Sequence, residues 1–180
     1  EIPKRDWSSD VCSSDLLFGG FSAVAMAYAA LLLFHLPGSA AAGGLTAVLG
    51  VAGVLASACI YRVPARPSWN SPYTIAQFQL TAGVLGPLCA GAITAGEPRW
   101  LAAVPATMAG AQFVLLGLRF LRCIASDSVE LRGTARLLST VLASRLLCRC
   151  VLLAVGGIVL PLLAVSTGSA QLVFTAAFVI

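Results

Sequence analysis

The stretch LTAVLGVAGVLASACIY, residues 45–61, contains no charged side chain and forms one uninterrupted apolar segment. A helix that crosses a bilayer needs about 20 mainly apolar residues, so this segment has the character of a membrane span. Another such segment opens at Ala170 and stops at Ile180, after about half the length that a crossing requires. Four longer ones lie near Leu16–Leu36, Tyr73–Ala95, Trp100–Leu121 and Leu146–Ser166. The sequence therefore predicts an all-α, polytopic transmembrane helix bundle with five full spans plus a truncated sixth.

The composition excludes a soluble protein. Of 180 residues, 59% are apolar and 10% are charged, whereas soluble domains carry roughly a quarter charged residues. The six cysteines lie mostly within or at the ends of spans, where a thiol packs as a small apolar group. Cys148 and Cys150 are separated by one residue with no histidine nearby, which supports neither a zinc site nor an iron–sulfur ligand run. We expect no bound metal and no nucleic-acid partner.

Residues 1–15 differ in character from the rest of the chain. They are polar and hold six of the eighteen Asp, Glu, Lys and Arg residues. The text KRDWSSDVCSSDL at 4–16 resembles translated sequencing-adapter DNA. We expect residues 1–15 to be non-native, residues 16–180 to be part of a transmembrane domain, and the chain to be an internal fragment. A genuine polar tail is the alternative interpretation.

Arginines are distributed unequally between the two sides of the predicted bundle. Without residues 1–15, the chain keeps nine arginines against three acidic residues. Numbering alternate loops places Arg99 on one side and eight arginines on the other: Arg62, Arg66, Arg119, Arg122, Arg132, Arg136, Arg145 and Arg149. The positive-inside rule makes the arginine-rich side cytoplasmic, although a basic docking surface for a partner gives the same asymmetry.

Side chains within the spans restrict the possible chemistry. No ionisable residue lies near mid-membrane, which disfavours an ion-coupled transporter, because buried charges persist in membranes chiefly where they work. A haem between two helices commonly needs two histidines, and His35, at the end of the first span, is the single one. We therefore expect no haem. The remaining polar groups, which join helices or line a pathway, are Gln77, Gln79, Thr81, Thr107 and Gln112.

Residues 61–72, YRVPARPSWNSP, form the most unusual loop. Three prolines fix the backbone and make the loop stiff. One interpretation is an interfacial anchor, in which tryptophan and arginine only position the helices at the membrane surface. The other is a wall that hydrogen-bonds a quinone head group or docks a partner subunit, formed by Arg62, Arg66, Trp69 and Asn70.

A second basic segment, residues 123–149, lies on the same side of the bundle. Its arginines either face a partner subunit or are simply solvated, and both interpretations stay open. The residues that we predict to face a partner are Arg136, Arg145 and Arg149.

The same regions carry a family resemblance. YRVPARPSWNSP at 61–72 and FQLTAGVLGPL at 78–88 resemble the junction of the fourth and fifth helices of the dimethyl sulfoxide reductase membrane anchor family. RLLSTVLASRLLCR at 136–149 and GGIVLPLLA at 156–164 are similar to its seventh-helix region. The resemblance covers most of residues 16–180.

The resemblance implies a haem-free anchor of eight helices in the bacterial inner membrane, of which helices three to seven and part of eight are present. Such an anchor has no catalytic residue of its own. It binds menaquinol and passes electrons to an iron–sulfur subunit, which feeds a molybdopterin catalytic subunit in anaerobic respiration. The family's ionisable quinol-site residues would lie in regions that are missing here. The alternatives are a structural anchor without a quinone site and a small-solute transporter.

Overall fold

The computed structural model describes residues 7–63, 65–93, 100–169 and 175–176. Across these ranges the chain is helical and contains no strand, which confirms the predicted all-α class. Five helices within them are long and apolar enough to cross a membrane: Asp15–Leu33, Ser39–Ile60, Pro72–Ala92, Ala103–Ala125 and Ala143–Thr167. Each corresponds to one predicted span. The sixth, at 170–180, falls mostly outside the described residues, and the total of eight stays a prediction.

Residues Glu1–Val63 form one compact unit, which contains helices α1 (Trp7–Leu33) and α2 (Ser39–Ile60). The helices approach closely because aromatic rings of α1 lie over glycines of α2. A Cβ atom built on these glycines would lie 3.1–3.3 Å from the nearest ring carbon. The pairs are Tyr28 with Gly43, Phe21 with Gly50 and Phe18 with Gly53. Small residues of this kind let helix backbones pack tightly in lipid.

The end of α1 explains the position of His35. This residue is exposed and has a left-handed backbone, with φ of 52°. Its N–H donates to the Leu32 carbonyl at 3.2 Å, and the Leu36 N–H donates to the Leu31 carbonyl at 2.9 Å. This pair of bonds is the Schellman arrangement that closes a helix C-terminus. His35 therefore ends the helix. Helix α1 also runs through Asp15 from Trp7, while the origin of residues 1–15 stays a prediction.

Residues Pro64–Ile180 form the second unit. Its helices are α3 (Pro72–Ile93), α4 (Trp100–Ala125), α5 (Val129–Ser139), α6 (Ala143–Ala154) and α7 (Leu160–Thr167). Its core joins α3, α4, α6 and α7 through buried aliphatic side chains, among them Val84, Leu88, Ala109, Leu153 and Ala164. Helix α5 is short and is capped by the Ser128 hydroxyl, which accepts a hydrogen bond from the Leu131 N–H at 3.3 Å.

A π-helical turn, Val155–Val159, joins α6 to α7 within one span. The Leu160 N–H donates to the carbonyl of Val155, five residues earlier, as a π turn requires. Pro161 follows directly, and proline cannot donate the next helical hydrogen bond. Gly156 and Gly157 are buried in this turn, which packs against α4. The backbone hydrogen bonds of this span therefore change from the α to the π pattern at the point where the span packs against α4.

The glycines of α3 allow a test of the packing between α3 and α4. A Cβ atom on Gly83 would lie 3.2 Å from Met108 Cγ, whereas one on Gly86 would meet nothing within 4 Å. We expect Gly83→Leu to lower the free energy of unfolding by about 2 kcal/mol, because overpacking forces neighbouring side chains to move. Gly86→Leu is the control. Unfolding in mixed micelles measures both, and an equal loss in the two variants would contradict the packing assignment.

Candidate functional site

Arg119 lies in the last third of α4 and connects three parts of the second unit. Its Nη1 donates to Gln77 Oε1 of α3 at 2.9 Å. Its Nη2 donates to the carbonyl of Ser68 at 2.9 Å, in the segment that precedes α3. A guanidinium within a membrane span is costly unless it is paired with polar groups. These two acceptors meet that requirement, and they fix the segment before α3 onto α4.

A second polar contact lies about two turns before Arg119 in α4. Gln112 is 5% exposed, and its Nε2 donates to Thr81 Oγ1 of α3 at 3.1 Å. The Thr81 hydroxyl in turn donates to the Gln77 carbonyl at 2.8 Å. Together with Arg119, these groups form a polar seam, which we define as Gln77, Thr81, Gln112 and Arg119. The seam holds α3 against α4 in antiparallel register.

The segment before α3 places Trp69 beside this seam. The N–H groups of Trp69 and Asn70 both donate to the Arg66 carbonyl, at 2.9 and 3.0 Å. The Trp69 carbonyl accepts the hydroxyl of Thr74 at 2.7 Å. The tryptophan backbone is thus held from both sides, by a tight turn and by the first turn of α3. Its side chain remains 38% exposed.

A cavity of about 280 Å³, the Trp69 cavity, lies where α4, α5 and the start of α6 meet the segment before α3. Its walls are apolar, with four leucines from these helices, Leu142 from the turn between α5 and α6, and the ring of Phe120. Its polar side includes two cations, Arg119 of α4 and Arg149 of α6. The remaining lining residues are Ser68, Trp69, Gln77, Cys123 and Thr134.

A larger cavity of about 410 Å³, the Gln112 cavity, lies between α3, α4 and α6. Arg149 lines both cavities. No aromatic side chain lines the Gln112 cavity within the described ranges, in contrast to the Trp69 cavity. Its lining residues are Thr81, Val84, Leu85, Gln112, Arg145, Cys148, Arg149, Leu152 and Leu153.

The structure brings together some of the predicted site residues and not others. Trp69 and Arg149 line the Trp69 cavity, and Arg145 lines the Gln112 cavity. Arg66, Asn70 and Arg136 are exposed and line neither. Arg62 belongs to the first unit, where its N–H donates to the Cys59 carbonyl at 3.1 Å. Whether any of these residues binds a quinone or a partner stays a prediction.

The sequence pattern does not mark Arg119 as a site residue and groups it with the loop arginines. Its position inside a predicted span was the available signal, since an arginine there needs polar partners. Gln77, Thr81 and Gln112 were recognised as groups that could join helices, and Gln112 and Thr81 do join α3 to α4. Thr107, in contrast, donates within its own helix, to the Val104 carbonyl at 2.8 Å.

The chain matches no protein-family model, and searches of curated proteins and of solved structures find no match. The fold and the composition define the chain as a multi-pass helical membrane protein. Within the described ranges, no three His, Cys, Asp or Glu side chains lie close enough to hold a metal ion.

Proposed function

We propose that this chain is the quinol-binding membrane anchor of a dimethyl sulfoxide reductase-like complex in a bacterial inner membrane. It takes electrons from menaquinol and delivers them to an iron–sulfur subunit, which feeds a molybdopterin catalytic subunit. The Trp69 cavity is the observation that supports this function. Pockets for small molecules are mostly apolar, with a few polar groups that fix orientation, and this cavity has that composition.

The lining of the Trp69 cavity suits a quinol head group. Trp69 and Phe120 offer aromatic surface to a flat ring, and leucines offer apolar surface around it. Arg119 and Arg149 provide donors for the quinol oxygens. Two positive charges also favour the deprotonated hydroxyl, because an opposite charge nearby stabilises the charged form of an acid. The arginines therefore bind the quinol and promote loss of its proton.

The balance of the reaction requires a route for protons and electrons. Oxidation of one quinol to a quinone releases two electrons and two protons. Arginine donates hydrogen bonds only, so the protons pass to water at the membrane surface or to a partner's side chain. The electrons pass to the iron–sulfur subunit. That subunit must dock close to the Trp69 cavity, and the exposed Arg66 and Arg136 lie on the segments that flank it.

Fluorescence of Trp69 tests quinone binding. The chain contains three tryptophans, so Trp7→Phe and Trp100→Phe leave Trp69 as the single reporter. We expect menaquinone added to this variant in lipid nanodiscs to quench the Trp69 emission in a saturable manner, because the quinone ring lies against the indole. A titration of emission intensity against menaquinone concentration gives the dissociation constant.

Arg136→Gln in the same background is the control, because Arg136 carries the same charge and lines neither cavity. It should leave the dissociation constant unchanged. Emission that stays constant up to saturating menaquinone would overturn the quinol site and would favour a structural anchor. Non-saturable quenching, equal in all variants, would show only quinone dissolved in the lipid and would count equally against the site.

A further inference from the structure

The Gln112 cavity differs chemically from the Trp69 cavity. It has two guanidinium groups, and among the described residues that line it none is aromatic or acidic. Arg145 and Arg149 are four residues apart on α6, which places them on one face of the helix, where like charges repel. Neither has a hydrogen-bond or ion-pair partner among the described residues. Both arginines are exposed, and an anion between them would relieve the repulsion and accept their hydrogen bonds.

The rest of the cavity is suited to an apolar chain. Leu152 and Leu153 continue along α6 from the arginines, and Val84 and Leu85 face them from α3. The distance from Arg145 to Leu153 along the helix is about 12 Å, at 1.5 Å per residue. A charged head and a tail several carbons long would therefore both find partners. Thr81 of α3 and Gln112 of α4 add polar groups to the cavity wall that these two helices form.

We propose that the Gln112 cavity binds an anionic phospholipid, with the phosphate between Arg145 and Arg149 and an acyl chain along Leu85 and Leu152. Basic pockets between membrane helices near the cytoplasmic surface are suited to acidic head groups. The site adjoins the proposed quinol site, and Arg149 is the one described residue that lines both cavities. The lipid site does not require the quinol site, because the residues that line the Gln112 cavity are sufficient to support it.

Native mass spectrometry of the full chain in mild detergent tests the proposal. The probes are phosphatidylglycerol, which is anionic, and phosphatidylcholine, which has the same acyl chains and no net charge. We expect the chain to retain phosphatidylglycerol preferentially. Arg145→Gln should weaken that binding about fivefold, which corresponds to one arginine near a membrane surface. Arg145→Lys should restore most of it, because the phosphate interacts with the positive charge.

The controls separate this site from general basicity and from misfolding. Arg136→Gln removes an arginine that lines neither cavity and should leave lipid retention unchanged. Circular dichroism verifies that each variant keeps its helical content. Equal retention of the two lipids, or equal losses in Arg145→Gln and Arg136→Gln, would overturn the proposal.

Competition identifies the source of the anion. Addition of millimolar inorganic phosphate should leave phosphatidylglycerol bound, because free phosphate cannot use the apolar wall. Displacement by phosphate alone would overturn a lipid site, and displacement by menaquinone would assign the cavity to the quinone instead. Loss of menaquinone quenching with intact lipid retention would contradict the quinol site alone, so failure of the two proposals can be distinguished.

Discussion

Arg119→Ala is expected to lower the free energy of unfolding of the second unit by about 3 kcal/mol. The substitution removes two charge-assisted hydrogen bonds, each worth about 1.5–3 kcal/mol in proteins, to Gln77 Oε1 and to the Ser68 carbonyl. Both acceptors then lose a partner in a partly buried place. Loss of the Ser68 contact should also free the segment that carries Trp69. Unfolding in mixed micelles measures the change.

Two further variants show whether the effect belongs to the hydrogen bonds. Arg136→Ala removes an exposed arginine of α5 and should change the free energy of unfolding by less than about 0.5 kcal/mol, as most surface substitutions do. Gln77→Ala deletes one of the two acceptors and should cost less than Arg119→Ala. If Arg119→Ala proved as mild as Arg136→Ala, the polar seam would not hold α3 and α4 together.

The spans could be predicted from the sequence because length and apolar character alone decide which segments cross a bilayer. The predicted start at Tyr73 and the observed start at Pro72 differ by one position. Helix α4 extends to Ala125, one turn beyond the predicted end at Leu121. Hydropathy ends this span between Arg119 and Arg122, whereas the helix continues while its backbone hydrogen bonds are satisfied.

Features that depend on side-chain pairing could not be predicted in this way. The partners of Arg119 lie 42 and 51 residues earlier, and only the register between α3 and α4 brings them together. Helix α5 is too short and too polar to be detected as a helix from hydropathy. A local signal existed in Ser128 followed by Glu130, since an N-cap serine and an acidic residue in the first turn favour a helix start.

The residues of the 61–72 loop that line a cavity also depend on packing that the local sequence does not show. Arg62, Arg66, Trp69 and Asn70 are neighbours in sequence, and their residue types suit a quinone. Only Trp69 among them lines a cavity in the second unit, because the turn at Arg66 and the bond from Thr74 direct the chain toward α4. The arginines that line the Trp69 cavity are Arg119 of α4 and Arg149 of α6, whereas the sequence predicts Arg62 and Arg66 of the loop.

Arg149→Gln is expected to weaken the binding of two ligands at once, because Arg149 is the one described residue that lines both cavities. A hydrogen bond from a charged group contributes about 1.5–3 kcal/mol, so menaquinone affinity should fall roughly tenfold or more. Phosphatidylglycerol retention should fall about fivefold, as for Arg145→Gln. Trp69 fluorescence and native mass spectrometry measure the two losses on the same preparation.

Variants of residues that line only one of the two cavities are the controls for Arg149→Gln. Arg145→Gln should reduce lipid retention and leave quinone affinity unchanged, since Arg145 lines only the Gln112 cavity. Leu138→Ala should reduce quinone affinity alone, because Leu138 lines only the Trp69 cavity. If Arg149→Gln affected one ligand and not the other, Arg149 would belong to a single site. The two cavities would then act independently, and quinol oxidation should not depend on the anionic lipid content of the membrane.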